Sequence, residues 1–564
     1  MTLCLRLRGL RAVVPLALLA SAPWAQSVWY VDAAATGPEL GTKALPFITI
    51  NAAIANAAAG DTINVLDGTY NEVVRVDKPL QLEALPTATI QVQSEDAFSG
   101  TSRDVGIILD SSMNALGPDT LVRGFTILAP ESSAQLTTGI LATDFGLLIG
   151  ETMTPSHLSN SPVIEQNRVF GCQYGVVVEA VGDKTICAPR IVRNTLFGGE
   201  LCSDGQAAAG VEAGNFSGGF MEVSMRANRI FGFESGVFVY GDQLGPVFAQ
   251  TDGNLVAFCE SGFYLNPATV VVSVNDTIAY SAPSSPLSQA AGIVNLSDDL
   301  TLVNTLIWVP DDESGASPCP LPPLDLAPDL VGNAPTALSG GFVTEDAAPA
   351  GYDPAFVNVF GVDFRLQSTS SAIDAGIGGP LTPGQFLETP DDNVGGARFA
   401  NPRLSPLSTS VAALVDQGAF ELSSVELAVT SAYGGSLPPE DSLHGTPIYT
   451  DRVYDVQQNA IPATTLGLRG RGGDICLVLT AAVTPTNALD PVLGNLMIDP
   501  FTFVSIPVPL SPAGPDQTIG TLPISLGALP AESTFDMQAA FVRINAAGVI
   551  DGGFSRRVRF EVNE

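Results

Sequence analysis

The chain has 564 residues, a formal net charge of −34, 56 Gly and 42 Pro, and 46% of its residues are hydrophobic. It is too long for one ordinary core and too apolar for an acidic disordered tail. Its acidity argues against nucleic acid and anionic membranes as partners. With His157 and His444 as its two His, and no C-x-x-C, it is poorly supplied for zinc sites or Ser–His–Asp triads.

Taken in chain order, residues 1–25 read as a signal peptide. "MTLCLRLRGLR" carries Arg6, Arg8 and Arg11, "AVVPLALLASA" is a short apolar run, and "SAPWAQ" offers cleavage near Ala22 or Ala25. The run falls short of the ~20 apolar residues of a membrane span. The expected product is a secreted protein, extracellular or at the cell surface, with no membrane span in its mature form.

Next comes "PFITINAAIANAAAGDTINVLDGTYNE". Ile50, Ala53, Ile54 and Ala57 share one face of a short helix that Gly60 closes. Strands "TINVL" and "EVVRV" follow across the turn "DGTYN". An amphipathic helix at this point would cap the open end of a stack of coils.

A repeat then begins. "NRVFGCQYGVVV" (167–178) returns as "NRIFGFESGVFV" (228–239) and "NLVAFCESGFYL" (254–265), each with Asn first and Gly eight residues later. Asn194, Asn275 and Asn304 extend the frame, and Gly124 takes the same slot upstream; successive anchors lie 21 to 43 residues apart. An irregular period around a constant core predicts a solenoid, with turns absorbing the insertions. The fold class expected is all-β: a right-handed parallel β-helix over 27–345, with an N-terminal capping helix. Coils stack at ~4.8 Å, so Gly124, Asn167, Asn194, Asn228, Asn254, Asn275 and Asn304 should form one inward ladder of hydrogen-bonding amides. The Gly eight residues on is read as a tight bend at the next corner.

"WYVDAAATG…PFITINAAIANAAAGDTINVLDGTYNEVVRV" resembles the opening coil of the pectin-lyase-like β-helix superfamily. "DPAFVNVFGVDFRLQSTSSAIDAG" and "VDQGAFEL" resemble the closing motif of secreted bacterial β-helix proteins with variable C-terminal anchors, and assign 346–422 to a closing segment. Such relatives include pectate lyases, polygalacturonases, pectin methylesterases and proteins without assigned activity, so the resemblance implies a fold before a function. After Glu421, alternating strands such as "GDICLVLTAAV" and "FDMQAAFVRI" predict a C-terminal β-sandwich domain over 423–564.

The catalytic strings of those relatives are absent. "CAPRIVR" has Pro189 and Arg193 but Cys187 where a lyase string needs Arg, and "HG" occurs only at His444-Gly445. Two surface groups remain. Arg123, Arg168, Arg193 and Arg229 flank ladder positions and point outward as a basic stripe able to bind uronate or sulfate. Glu234 and Glu260 each follow an anchor by six residues, so stacking should pair their carboxylates, as a glycosidase acid–base pair or as ligands recruiting Ca²⁺. The stripe and the pair each have a blander reading, as solvated surface charges. Cys172 and Cys202 are placed within disulfide reach, with Cys187 a rival partner. The functional expectation is binding of an extracellular polysaccharide, or a surface or adhesion role. The alternative is a polysaccharide lyase or glycoside hydrolase acting on an acidic glycan, and enzyme activity stays open.

Overall fold

The computed structural model describes residues 26–308 except 85–87, 96–102, 113, 131–135, 144–159, 181–185, 199–206, 217–218, 243–244, 280–290. Beyond them it describes stretches, chiefly strands, between 330 and 563. The signal segment 1–25 and the closing elements Asp374-Ala375-Gly376 and Gly418–Glu421 lie outside the described residues. No helix among the described residues is long and apolar enough to cross a membrane.

The first part is a parallel β-helix. Each coil contributes one strand to each of three sheets, and within each sheet consecutive coils pair in parallel. The coil at Asn228 is representative: Phe220–Arg226 lies on the first face, Arg229–Phe231 on the second and Ser235–Tyr240 on the third. From Thr126–Leu128 on, the second-face strands are three residues long with the middle residue inward, so Val169, Leu196, Ile230 and Val256 stack inside with no solvent exposure. Length variation falls between second-face and third-face strands, or between the third face and the next coil, as in the step from Thr195–Phe197 to Ala209–Asn215.

The helix Ile50–Asn56 buries Ile50, Ala53 and Ile54 at the first-coil end. Its N-terminus is doubly capped. Thr49 Oγ1 accepts from the Ala52 amide at 3.2 Å, and the Glu72 carboxylate accepts from the Ile50 and Asn51 amides at 2.7 and 3.1 Å. At the other end Lys78 Nζ donates to the Ile54 and Ala57 carbonyls, placing a cation at the negative pole of the helix.

The ladder is real and shorter than its sequence frame. Asn167, Asn194, Asn228 and Asn254 are buried, and each donates its backbone N–H and its side-chain amide to the side-chain oxygen of the next rung at 2.7–3.1 Å. Gly124, Asn275 and Asn304 do not belong to it. They hold left-handed backbone, with φ of 86°, 52° and 49°, one residue before the rung. The rung positions are therefore Phe125, which offers only its N–H to Asn167 Oδ1, then Asp276 and Thr305. Gly and Asn tolerate positive φ best, although Gln166, Arg193 and Ala227 hold the same corner on other coils at φ of 56°, 54° and 53°. Asn275 and Asn304 do bond each other, at 3.2 Å.

The Gly eight residues after the Asn also has a different cause from the one expected. Gly106, Gly139, Gly175, Gly210, Gly236 and Gly262 stack with Gly292, and none of the six has positive φ. A methyl on any of the six would meet the next glycine's carbonyl oxygen at 2.5–2.8 Å. Close approach between coils at the entry to the third face excludes a Cβ there.

The described residues after 422 form two larger sheets and the short antiparallel pair Ala488–Asp490 and Gly494–Leu496. The first holds Glu426–Ser431, Ala463–Arg471, Gln517–Ser525 and Ser511–Gly514; the second holds Val453–Gln457, Ile550–Asn563, Ser533–Ile544, Ile475–Ala482 and Val504–Val508. Pairing is antiparallel except between Val453–Gln457 and Ile550–Asn563. Cys476, Val478, Met537 and Ala539 are buried on the central strands of the second sheet.

Candidate functional site

The second face brings two of the four arginines together. In register, Thr126, Arg168, Thr195, Arg229 and Leu255 form one outward column. Arg168 and Arg229 are therefore two coil steps apart, roughly 10 Å at the usual strand spacing, with the Thr195 hydroxyl between them. Two residues along each strand a parallel column reads Leu128, Phe170, Phe197, Phe231. The Phe170 and Phe197 rings are partly exposed, with centroids 6.4 Å apart. This aromatic column was not anticipated, although the strings "NRVF", "NTLF" and "NRIF" carry it.

Arg123 ends the first-face strand Leu121–Arg123, and Arg193 is the corner residue itself, one before the Asn194 rung. Arg123 pairs with Glu83 at 2.9 Å, and Arg193, at φ 54°, lies 3.9 Å from Glu165. The expected four-residue stripe is thus two outward arginines on the second face and two arginines beside first-face carboxylates. The split follows from the corner: Arg168 and Arg229 follow a rung, whereas Arg123 and Arg193 precede one.

Glu234 and Glu260 occupy equivalent positions on adjacent coils, immediately before the paired residues Ser235 and Ser261. They differ in surroundings. Glu234 is exposed, whereas Glu260 retains 8% of its accessible surface. Desolvation and the neighbouring Glu260 charge raise the Glu234 pKa above the ordinary carboxylate value. Near this corner, Phe364 packs on Phe258 at 5.6 Å and on Phe356 at 5.2 Å, so the short antiparallel pair Phe356–Asn358 and Asp363–Leu366 lies against the turn leading to Glu260. From this coil on, the second-face residues Leu255, Ala257, Thr277 and Ala279 are buried, and the open part of the face ends at Arg229.

Among the described residues no group of three or more His, Cys, Asp or Glu is arranged to hold a metal ion. Ca²⁺ takes six to eight oxygen ligands, more than two carboxylates supply. Cys172 and Cys187 are free thiols buried in the core, and burial pushes the Cys172 pKa up to about 12. Cys202 lies outside the described residues.

No protein-family model matches the chain, and no curated protein sequence matches it. Solved structures that resemble it include the pectate lyase Pel9A, at 12% identity and a TM-score of 0.35 over 70% of this chain and 96% of that one. A structure described as the complex of XylC with xylose matches at 12% identity and a TM-score of 0.33, covering 50% of this chain and 69% of that one. A rhamnogalacturonan lyase matches at 12% identity and a TM-score of 0.27, covering 59% and 91%. Likeness at this level carries no functional argument; the parallel β-helix stands on the strand pairing described above.

Proposed function

We propose that this protein is secreted and binds an acidic extracellular polysaccharide along the open second face, through Arg168 and Arg229. The observation that carries this reading is the column Arg168–Thr195–Arg229 beside the rings of Phe170 and Phe197. Guanidinium groups bind carboxylate or sulfate through paired N–H donors. The aromatic rings beside them offer apolar platforms for the ring carbons of a sugar. A linear chain running along the stack would meet charge at both ends of this patch and a hydroxyl at its middle.

The test is binding of polygalacturonate, a sulfated glycan and a neutral glucan to the full chain at several salt concentrations. Acidic glycans should bind and weaken as salt rises, and the double change Arg168→Gln, Arg229→Gln should reduce affinity at least tenfold without shifting the melting curve. Equal binding of the neutral glucan, or unchanged affinity in the double variant, would remove the proposal.

A second reading rests on the Glu234–Glu260 pair. An exposed acid with a raised pKa beside a buried one is the arrangement of a general acid with a second carboxylate. Release of reducing ends or unsaturated uronates from an acidic glycan, lost in Glu260→Gln, would establish that reading. Dependence on added Ca²⁺ would assign the pair to a cation instead.

A further inference from the structure

The third face holds aromatic side chains where the second face holds arginines. In register, Glu212, Phe238 and Tyr264 form one column, and Glu179, Gly214 and Tyr240 form the column two residues along. Their strand neighbours Ala213, Val237, Val239 and Leu265 are buried in the core, which turns both columns outward. Gly214 has a particular use there. A Cβ on it would meet ring carbons of Phe216 at 2.7 and 2.8 Å. The Phe216 ring folds back from the end of strand Ala209–Asn215 and fills the space outside Gly214. Phe216 is 47% exposed, and its ring centroid lies 5.6 Å from that of Tyr240. Phe238 and Tyr264, both partly exposed, pair at 5.5 Å.

We propose that Phe216, Phe238, Tyr240 and Tyr264 form a binding platform for a neutral polysaccharide, separate from the arginine column, with Gly214 as its positioning residue.

Charge, area and chemistry each select that occupant. The strands Tyr174–Ala180, Ala209–Asn215, Ser235–Tyr240 and Ser261–Leu265 carry no Lys or Arg, and their charged residues are Glu179 and Glu212. A uronate or sulfate would meet no cation on them and an acid in each column. Fully covered, such rings bury about 150–250 Å² each. Partly buried already, the set leaves on the order of 300 Å², short of the roughly 800 Å² per partner of a stable protein interface. A second copy, at a net charge of −34, would also meet like charge. Tyr240 and Tyr264 place a phenolic hydroxyl at the tip of an apolar ring. A neutral sugar offers the complement, C–H groups on its ring faces and hydroxyls at its edge. The rings fall on three successive coils, so a chain lying along the stack meets one at every step.

The test is binding of neutral oligosaccharides of glucose, xylose and mannose to the full chain and to its Arg168→Gln, Arg229→Gln variant. Saturable binding of at least one is expected, equal in both proteins, so the platform and the arginine column succeed or fail separately. Lacking an ion pair, this binding should be weaker than that of an acidic glycan. Phe238→Ala and Tyr240→Ala should each weaken it roughly fivefold. Gly214→Ala keeps every ring but displaces Phe216, and should weaken binding about threefold with the melting curve in place. Combined with Phe216→Ala, it should lose no more than Phe216→Ala alone, because the glycine acts through that ring. Phe220 and Phe248 stack at 5.6 Å on the first face and serve as the control. Changing both to Ala should leave affinity unchanged; an equal loss there would show indiscriminate apolar adhesion and overturn the proposal. Absence of neutral-sugar binding would overturn it. So would a dimer in sedimentation that Tyr240→Ala dissolves, since the platform would then belong to a second copy.

Discussion

A single rung side chain carries several bonds at once. Asn228 donates its backbone N–H to Asn254 Oδ1 at 2.9 Å and its side-chain amide to the Ile191 carbonyl at 2.8 Å, and its Oδ1 accepts from the Asn194 backbone at 3.0 Å. Leu would fit the volume and leave those partners buried without bonds. Asn228→Leu should therefore cost about 1–3 kcal/mol in a urea melt of the full chain. An unchanged midpoint would show that the amides merely fill space. Gly236 tests the neighbouring column. A methyl there would lie 2.2 Å from Val256 Cγ1 and 2.7 Å from the Gly262 carbonyl oxygen. Gly236→Ala should destabilise by about 1–3 kcal/mol, as overpacking does. The Asn-to-Gly spacing was legible because one coil's path from rung to third-face entry is constant in three of the repeats. The rung itself was misread at Asn275 and Asn304, where a polar residue follows immediately. Sequence does not distinguish the residue that must adopt positive φ from the one that must bond, and Asp276 has the shape of Asn without the same donor.

Helix and strands each answer a boundary problem. The helix Ile50–Asn56 covers one end of the stack, and its seven residues are too few to be stable alone. Tertiary contacts and caps must hold it, with Glu72 reaching back from the first coil to two amides. Glu72→Ala should cost about 1–2 kcal/mol through the lost cap and dipole contact, read by urea melts, with Glu72→Gln recovering part of the loss. Equal stability of Glu72→Ala and wild type would show that apolar burial alone seats the helix. Its apolar face was legible from Ile50, Ala53 and Ile54; the cap was not, because Glu72 lies a turn and two strands away in sequence. The second face shows the same limit. Arg168 and Arg229 could be predicted outward from strand alternation, whereas their separation from Arg123 and Arg193 depends on where each falls relative to a one-residue corner.

At the scale of the molecule, the two kinds of sheet imply different folding units. The β-helix gains stability from contacts between successive coils, capped by the helix at the first-coil end. The sheets after 422 pair strands distant in sequence, such as Val453–Gln457 with Ile550–Asn563, and bury their own side chains, including Cys476 and Met537. Neither pattern requires strands from the other. The boundary expected near Glu421 predicts that 27–422 and 423–564, expressed separately, each unfold cooperatively and resist protease. In the full chain, calorimetry should resolve two transitions matching the separate pieces. Asn228→Leu should then move only the transition of 27–422. This cross-check matters because a single merged transition has two causes, tight coupling or coincident midpoints. If Asn228→Leu shifts a single transition as one body, and neither piece survives protease alone, the boundary is misplaced and the β-helix depends on the sheets that follow it.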